Sequence, residues 1–431
     1  MSVGGNSVLT RPKDIKTVFC DSNHHAKAVA NDSGYLMYQL LGDCLGLINH
    51  KPWRAVREAT EHAFLASTSS SHIPIIQKRT QEYFAEIQSQ PGGNLTRGLI
   101  DPVNDIKLLP FRIVAEIVYG RLESDARDTL ESLVPLRERL WKRMIAGGLT
   151  RYRWSRFLPL AVNGELRTWQ RQWSDFNDRA AKTGAVTREE LLCNPPPPIM
   201  TMYAAVERQL ITRDQALQTL DEMLFANLDV TMGGLSWNLV FLAENPSAQA
   251  ELRAEVISHE MSGSYFLSSH TFLHACILES ARLRPLAAFS VPQSAPDTRI
   301  VGDGGTQPGY VIPGGTNYII DTHALNIHNT FWGVEQTERE SYRPARFHER
   351  RPVELRYNYW RYGFGPRQCL GKHVADLIIK NLLVYVVSNY KLLLQKEEKN
   401  NKMCLASGSW ITHPNVHLVC TPIGYVRSGH H

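Results

Sequence analysis

One cysteine flanked by glycines is the feature of this 431-residue sequence whose type and spacing most clearly indicate chemistry. Cys369 lies in the run Tyr-Gly-Phe-Gly-Pro-Arg-Gln-Cys-Leu-Gly, residues 362–371, directly before an apolar segment. Glycines let a backbone approach a flat cofactor closely, and a helix N-terminus stabilises sulfur as the anion. Arg367 can bind a carboxylate through two hydrogen bonds. A buried cysteine alone is usually a small apolar core residue, but this pattern favours a thiolate ligand loop.

The spacing of this run resembles the haem-binding loop of the cytochromes P450. An aromatic residue, Tyr362, is followed by Gly365, Arg367, Cys369 and Gly371 at the family's positions, although the family usually has Phe where Tyr362 stands. The resemblance implies that Cys369 is the thiolate ligand of the iron of haem b. It also implies that the other four residues contact the cofactor.

Two further motifs in the family's order support the resemblance. Glu279 and Arg282, three apart in a helical segment, would alone indicate an exposed salt bridge of little energetic value. Because the family has Glu-x-x-Arg here and a second arginine downstream, the resemblance implies that Arg346 joins them in a buried ionic cluster with a structural role. Trp53 and Arg57, four apart on one helix face, resemble the pair that reaches the haem propionates.

The stretch 224–242 predicts one long apolar helix. Its residues 226–231, Ala-Asn-Leu-Asp-Val-Thr, resemble the family's oxygen-activating sequence Ala/Gly-Gly-x-Asp/Glu-Thr-Thr. The resemblance implies that Asp229 feeds protons from bulk solvent. Two substitutions depart from the pattern: Asn227 replaces a glycine, and Val230 replaces the threonine that holds water over the haem. Valine cannot donate a hydrogen bond, so we expect proton delivery to differ from that of the family.

Asn227 and Thr231 are the candidates to replace the missing hydroxyl, and with Asp229 they form the predicted catalytic set. Thr231 lies about 100° further round an ideal helix, so it takes that position only if a local bulge turns it inward. Alternatively, Asp229 pairs within the helix and Val230 is ordinary packing. Buried polar groups need partners, which weakens this alternative. We predict oxidation that ends in ring formation or radical coupling rather than simple hydroxylation.

The resemblance also implies which side chains meet the substrate. They are mostly apolar, as in most buried ligand sites, and indicate a medium-sized hydrophobic molecule with a few polar groups. The runs 222–231 and 356–361 resemble those of fungal secondary-metabolite cytochromes P450, including enzymes of gliotoxin-type diketopiperazine pathways. The expected substrate-lining residues are Ala226, Val230, Ala287, Phe289, Val291 and Trp410.

Partners follow from the same resemblance. It implies O2 as co-substrate and electrons from NADPH, delivered by a cytochrome P450 reductase that docks on the cysteine side. Lys51, Arg54 and Lys372 could present positive charge to an acidic reductase there. The alternative is that these three side chains are simply a solvated face. Reversing two of them should slow reduction without changing substrate affinity if docking is their role.

The resemblance runs from about Pro12 to Ile423. Family members usually have a further helix and strands before this point, and eukaryotic members have a membrane anchor. We therefore expect an N-terminally short catalytic domain over residues 1–427, whose full-length form lies on the cytosolic face of the endoplasmic reticulum membrane. Residues 428–431, Ser-Gly-His-His, are interpreted as a tag remnant.

The composition limits which partners and which cellular compartment are compatible with the sequence. Lys and Arg total 47 against 42 Asp and Glu, and no long basic block occurs, so nucleic acid is not indicated as a partner. The seven cysteines lack Cys-x-x-Cys spacing, which argues against a disulfide framework and favours a reducing compartment. No stretch reaches the roughly 18 apolar residues of a membrane-spanning helix, so we expect this chain to be soluble and monomeric.

Hydrophobic periodicity predicts a mostly α fold, which the resemblance specifies as the cytochrome P450 fold, a helical bundle with small β-sheets. Apolar residues recur three and four apart through 51–243 and again in 372–389. Residues 298–321 indicate strand, turn and strand, and the final thirty or so residues indicate short strands. The prolines at 195–198 are interpreted as a surface loop within one fold.

The leading interpretation is a haem-thiolate monooxygenase or oxidative cyclase. A rival within enzymes is a P450-like isomerase or peroxide-using enzyme that needs no reductase, motivated by Val230. A rival from another class is a haem carrier or gas sensor without catalysis. Asp229 argues against the carrier, because a carrier gains nothing from a proton route.

Overall fold

The computed structural model describes residues 2–3, 6–27, 34–183, 196–259, 262–302, 309–395, 411 and 413–424. Within these ranges most residues are helical, and short strands form small sheets beside the helices. The prediction of a mostly α fold is therefore confirmed. None of the helices in these ranges combines the length and apolarity needed to cross a bilayer.

The helices of the first half begin with α1 and end with α10. α10 starts at a capping box, in which the side chains of Thr212 and Gln215 each accept a hydrogen bond from the other's backbone N–H. The ten helices are α1 Pro12–Phe19, α2 Gly34–Leu41, α3 His50–Thr60, α4 Ala66–Ser69, α5 Ile73–Ser89, α6 Leu108–Tyr119, α7 Ser124–Ala146, α8 Ala161–Thr183, α9 Pro198–Glu207 and α10 Arg213–Phe225.

The second half of the chain contains α11, the helix at the centre of the core. α11 is buried on all sides, which is expected for a helix that is apolar around its whole circumference. α17 spans the predicted helix at 372–389. The helices are α11 Val230–Glu244, α12 Pro246–Ser258, α13 Gly263–Leu267, α14 Phe272–Leu283, α15 Gln336–Glu340, α16 Pro352–Leu355 and α17 Lys372–Asn389.

The strands form sheets with the orders β1-β2-β8-β5-β3, β4-β10-β9 and β6-β7. β2 and β8 pair in parallel, with Asn6 opposite Asn317. The strands predicted within 298–321 are present, but β7 pairs with β6 whereas β8 lies in another sheet. The bounds are β1 Ser2–Val3, β2 Asn6–Leu9, β3 Ala26–Lys27, β4 Leu99–Ile100, β5 Gln293–Ser294, β6 Arg299–Val301, β7 Tyr310–Ile312, β8 Asn317–Ile320, β9 Tyr390–Leu394 and β10 Leu418–Pro422.

The prediction of one continuous helix over 224–242 is wrong. α10 ends at Phe225, residues 226–228 form a 3₁₀ turn, and α11 begins only at Val230. The side-chain amide of Asn227 donates to the Met223 carbonyl at 2.6 Å, which is the group that a continuous helix would bond through the Asn227 backbone N–H. A polar side chain thus competes with the helix ladder at the break.

α11, α14 and α17 pack against one another in the core. The N-terminus of α17 follows Cys369 by three residues, and the N-terminus of α11 follows the break described above. Both ends open toward the same interior space. The fold therefore brings together two segments that are about 140 residues apart in the sequence.

Candidate active site

The glycine-flanked loop holds Cys369 at the wall of an internal cavity. The Cys369 backbone N–H donates to the Tyr362 carbonyl at 3.0 Å, which closes the loop. Gly363 and Gly365 have φ angles of 90° and 67°, a conformation that favours glycine. Burial raises the pKa of the Cys369 thiol, and a hydrogen bond from the Gly371 backbone acts in the opposite direction. Coordination to a metal would remove the thiol proton outright.

Gly365, which is predicted to contact the cofactor, packs against Ser22. A Cβ at this position would lie 2.0 Å from Ser22 Oγ. Glycine is therefore needed here because the loop packs directly on Ser22, as well as for the left-handed backbone. Gly371, in contrast, lines the cavity beside Cys369.

Two cationic side chains, those of Arg57 and Arg367, lie in the cavity wall together with the Trp53 indole. The Arg367 guanidinium stacks 4.6 Å from the Trp53 ring centroid and donates to the Ile48 carbonyl at 2.8 Å. Burial lowers the pKa of Arg367 to about 10. Arg57 Nε donates to Glu61 Oε2 at 2.8 Å. Both predicted propionate-binding side chains thus share one wall.

Tyr362 is hydrogen-bonded to a partly buried ion pair behind the loop. Its hydroxyl donates to Asp376 Oδ1 at 2.8 Å, and Arg361 Nη2 lies 2.6 Å from the same oxygen. Tyr362 and Arg361 both contribute to the cavity wall. The hydroxyl that distinguishes Tyr362 from the usual phenylalanine therefore has a partner of its own in α17.

Glu279, Arg282 and Arg346 form one cluster, and all three side chains have zero exposure to solvent. Arg282 Nε and Nη2 donate to Glu279 at 2.8 and 2.9 Å, and Arg346 Nε donates to Glu279 Oε1 at 2.9 Å. The guanidinium groups also donate to the Asn326 and Trp332 carbonyls at 2.9 and 2.7 Å. The two guanidinium groups thus give the buried Glu279 carboxylate the ion pairs and hydrogen bonds that a buried charge requires.

The helix break carries the predicted catalytic residues. Thr231 Oγ1 donates to Asn227 Oδ1 at 2.6 Å, and both residues line the cavity. The Asp229 carbonyl accepts a hydrogen bond from the Gly233 backbone N–H at 2.9 Å and also lies 2.9 Å from His413 Nε2. Burial raises the pKa of the Asp229 carboxyl, and the neighbouring His413 lowers it. Val230 points into the cavity with 36% of its surface accessible.

The cavity between the loop and the break has a volume of about 600 Å³ and walls that are mostly apolar. Phe289 and Val291 are 53% and 42% accessible although they belong to its wall. Trp410 lies outside the described residues. The predicted substrate-lining residues that the structure places in the wall are Ala226, Val230, Ala287, Phe289 and Val291.

The chemistry of the cavity wall suits a metal-containing cofactor that carries carboxylates. Among the described residues no group of three or more His, Cys, Asp or Glu could hold a metal ion. A metal beside Cys369 therefore requires further ligands from a cofactor. Burial also lowers the pKa of Lys27, in the same wall, to about 8, with Arg367 adding repulsion. Two desolvated cations favour an anionic partner. Haem would supply both the further ligands for the metal and two carboxylates for these cations.

Sequence reasoning missed Lys27 and Glu222, which both line this cavity. Lys27 lies in β3, and no local pattern singles it out. Glu222 has a detectable signal, because a carboxylate next to Met-Leu-Phe in an apolar helix needs an explanation.

The three residues predicted to attract a reductase lie at the surface near the loop. Lys51 and Arg54 are exposed in α3. Lys372 Nζ donates to Gln368 Oε1 at 2.8 Å at the start of α17. The structure thus leaves Lys51 and Arg54 available on the outer surface of the same helix that carries Trp53.

Residues 5–420 match the family described as Cytochrome P450. The chain is similar to "Cytochrome P450 monooxygenase aclC" of Aspergillus oryzae, with 47% identity over 96% of this chain and 82% of that protein. It is also similar to "Cytochrome P450 monooxygenase gliC" of Aspergillus fumigatus, with 38% identity over 97% of this chain and 80% of that protein.

A solved structure of a cytochrome P450 superposes on this chain with a TM-score of 0.78. The two chains are 16% identical, and the match covers 97% of this chain and 92% of the other. At this identity the likeness concerns the fold.

Proposed function

We infer, for a chain that belongs to the cytochrome P450 family, that its reaction is a reductase-dependent oxidation of a hydrophobic secondary metabolite at the cavity beside Cys369. The family implies haem iron, and the relatives are fungal monooxygenases by name. The single observation that supports this placement is a cavity that joins a cysteine loop, a cationic end and a polar helix break.

Different residues of the cavity wall would bind the haem iron, the haem propionates and the substrate. Cys369 would supply the thiolate ligand, and Arg57, Arg367 and Trp53 would hold the propionates of the haem. When bound, haem supplies the activation of O2 that no protein side chain can perform. The apolar wall excludes water from the substrate. The buried Glu279 cluster lies outside the wall and would keep the surrounding segments in place.

Proton handling is proposed to rely on Asn227 and Thr231 in place of the missing threonine at 230. Their side chains are bonded to each other at 2.6 Å and lie in the cavity wall. Asp229 stands between them in sequence, and burial raises the pKa of its carboxyl. A group with a raised pKa is a better proton donor near neutral pH than a free carboxylate.

This altered polar set supports the finer proposal that the reaction favours ring formation or radical coupling over simple hydroxylation. Asn227 and Val230 change the polar groups that a substrate would meet beside the haem, and the Val230 side chain cannot donate a hydrogen bond. We propose a diketopiperazine as the substrate class, because the runs 222–231 and 356–361 resemble enzymes of such pathways. Electrons would come from NADPH through a reductase at the endoplasmic reticulum, as in eukaryotic members of the family.

The test is a reduced carbon-monoxide difference spectrum of purified protein supplemented with hemin. A red-shifted Soret band typical of thiolate ligation is expected. Protein that stays colourless, or that shows the spectrum of histidine-ligated haem, would contradict the proposal.

A second measurement separates the reductase-dependent enzyme from the alternatives suggested by Val230. Product formation with NADPH and reductase is compared with product formation with peroxide alone. Turnover only with reductase supports the monooxygenase. Turnover with peroxide alone would favour the peroxide-using enzyme instead, and binding without turnover would favour the carrier.

A further inference from the structure

A second carboxyl group faces the cavity at the opposite side of the break from Asp229. Glu222 lies in the last turn of α10 and belongs to the cavity wall. The Gly46 backbone N–H donates to Glu222 Oε2 at 3.0 Å. A Cβ at Gly46 would lie 2.0 Å from Glu222 Oε1, so a side chain at residue 46 would displace the carboxylate from this position. The Cys44 thiol also donates to it.

These contacts hold Glu222 in place but leave acceptor capacity. A carboxylate offers about four acceptor positions, and the Gly46 amide and the Cys44 thiol occupy two of them. Burial raises the pKa of Glu222, whereas the two donors and the charges of Lys27 and Arg367 lower it. All four neighbours therefore favour the ionised form against the effect of burial.

Two other carboxylates in or near this wall, those of Asp221 and Glu138, already have strong partners. Asp221 accepts two hydrogen bonds from the Arg137 guanidinium at 2.9 and 3.0 Å. Glu138 forms an ion pair with Lys107. Among the described residues, Glu222 is held by a backbone amide and a thiol instead of a guanidinium or ammonium group at contact distance. A buried acceptor gains stability from any further donor that reaches it.

We propose that Glu222 is a substrate-recognition residue whose carboxylate accepts a hydrogen bond from an amide N–H of the substrate. This inference rests on the proposed function, because it assumes that a diketopiperazine enters the cavity. It goes further by assigning the chemical group that is recognised and the residue that recognises it. The ring N–H groups of a diketopiperazine are donors that an otherwise apolar wall would leave unpaired.

Selectivity follows from this arrangement. A site that is built to pair with an N–H rejects an analogue that lacks it, because the buried acceptor then loses its partner. The apolar remainder of the wall cannot make this distinction, since it contacts methyl and methylene groups alike. Selectivity between N–H and N-methyl probes therefore reports on Glu222 and not on general packing.

The experiment measures binding by the substrate-induced Soret shift of the haem-loaded protein. The probes are cyclo(phenylalanyl-phenylalanyl) and its N,N′-dimethyl derivative. The wild-type protein is expected to bind the N–H probe more tightly. Glu222→Leu should weaken binding of the N–H probe roughly ten- to hundredfold, the value of a charge-assisted hydrogen bond. It should leave the N,N′-dimethyl probe nearly unchanged, so that selectivity is lost.

Glu222→Gln keeps the shape and one acceptor but removes the charge, so it should give an intermediate selectivity and serves if the leucine variant does not fold. Glu138→Gln is the matched control, because that carboxylate is already paired with Lys107, and its selectivity should equal that of wild type. The reduced carbon-monoxide spectrum and circular dichroism monitor loading and folding in every variant.

The inference is overturned if wild type binds both probes equally or binds neither, or if both Glu222 variants keep the wild-type selectivity. These outcomes differ from failure of the proposed function, which would appear earlier as the absence of a thiolate-type carbon-monoxide spectrum. Loss of selectivity in Glu222→Leu with an intact spectrum supports both.

Discussion

The cysteine side and the helix-break side of the cavity hold their polar groups in different ways. On the cysteine side, Glu279 and its two arginines are fully buried, and nearly all of their hydrogen bonds run to one another or to backbone groups. On the other side, Asn227 in the helix break and Thr231 in the first turn of α11 both face the cavity. The first arrangement leaves little freedom for change, whereas the second presents polar groups where a substrate would lie.

This difference coincides with the match to the family sequence. The cysteine loop and the ionic cluster follow the family spacing, apart from the Tyr362 substitution. The break carries Asn227 and Val230 where the family has Gly and Thr. Buried charges tolerate few replacements because an unpaired partner is costly. Cavity-facing residues can change at a smaller energetic cost, and with them the outcome of the reaction.

The largest effect is expected at the cysteine itself. Cys369→Ala would remove the proposed sulfur ligand, so the thiolate-type carbon-monoxide spectrum should disappear. Cys20→Ala is the control, because Cys20 is a free, exposed cysteine outside the cavity. A Cys369→Ala protein that keeps its absorption signature would remove the basis for comparing the two sides.

The ionic cluster should dominate stability. Arg346→Met leaves part of the Glu279 charge without its partner in the core, and we expect a loss of about 3–5 kcal/mol in the free energy of unfolding. Denaturant titration measures it. Arg343→Met is the control, because the Arg343–Glu349 pair is 42% and 48% exposed and should contribute about 0–1 kcal/mol. Equal losses in the two variants would show that burial of the cluster does not matter.

α14 also carries a buried histidine whose charge should make stability depend on pH. Burial, followed by the charge of Lys380, lowers the pKa of His274 from 6.5 to about 4. The unfolded chain therefore takes up a proton first as pH falls from 6.5 toward 4, which lowers stability by roughly 2 kcal/mol near pH 5. Stability curves of wild type and His274→Asn check this. A variant with the same pH slope as wild type would contradict it.

The smallest effect is expected on the helix-break side, and it concerns coupling instead of stability. Val230→Thr adds a hydroxyl in the cavity wall, and Asn227→Gly removes the partner of Thr231. We expect product formed per NADPH to change by roughly fivefold, the effect of about one hydrogen bond on a rate. The product distribution should shift with it. If neither variant changes coupling or products, the break has no role in proton delivery.

The sequence could predict what depends on local spacing. The helix of residues 372–389 and the cysteine loop before it follow from apolar period and glycine placement. The positions of Trp53, Arg57 and Arg367 in one wall could be anticipated only through the family resemblance, because Arg367 lies more than 300 residues from the other two.

What could not be predicted depends on tertiary contacts or on competition within the backbone. The apolar run through Phe225 and Val230 concealed the break, since a side-chain hydrogen bond from Asn227 decides it. Gly365 is explained by its contact with Ser22, a residue far away in the sequence. Glu222 and Lys27 both line the cavity although they belong to α10 and β3, which are far apart in the sequence.

The bond between Thr231 and Asn227 gives their pair a direction. The Thr231 hydroxyl has a single hydrogen, and it is committed to Asn227 Oδ1, whose amide in turn donates to the Met223 carbonyl. In this arrangement Thr231 offers a visiting water only lone pairs, so it receives hydrogens and gives none. If the Thr231 hydroxyl rotated away from Asn227, it could donate its hydrogen to that water, and the direction of proton transfer would be reversed.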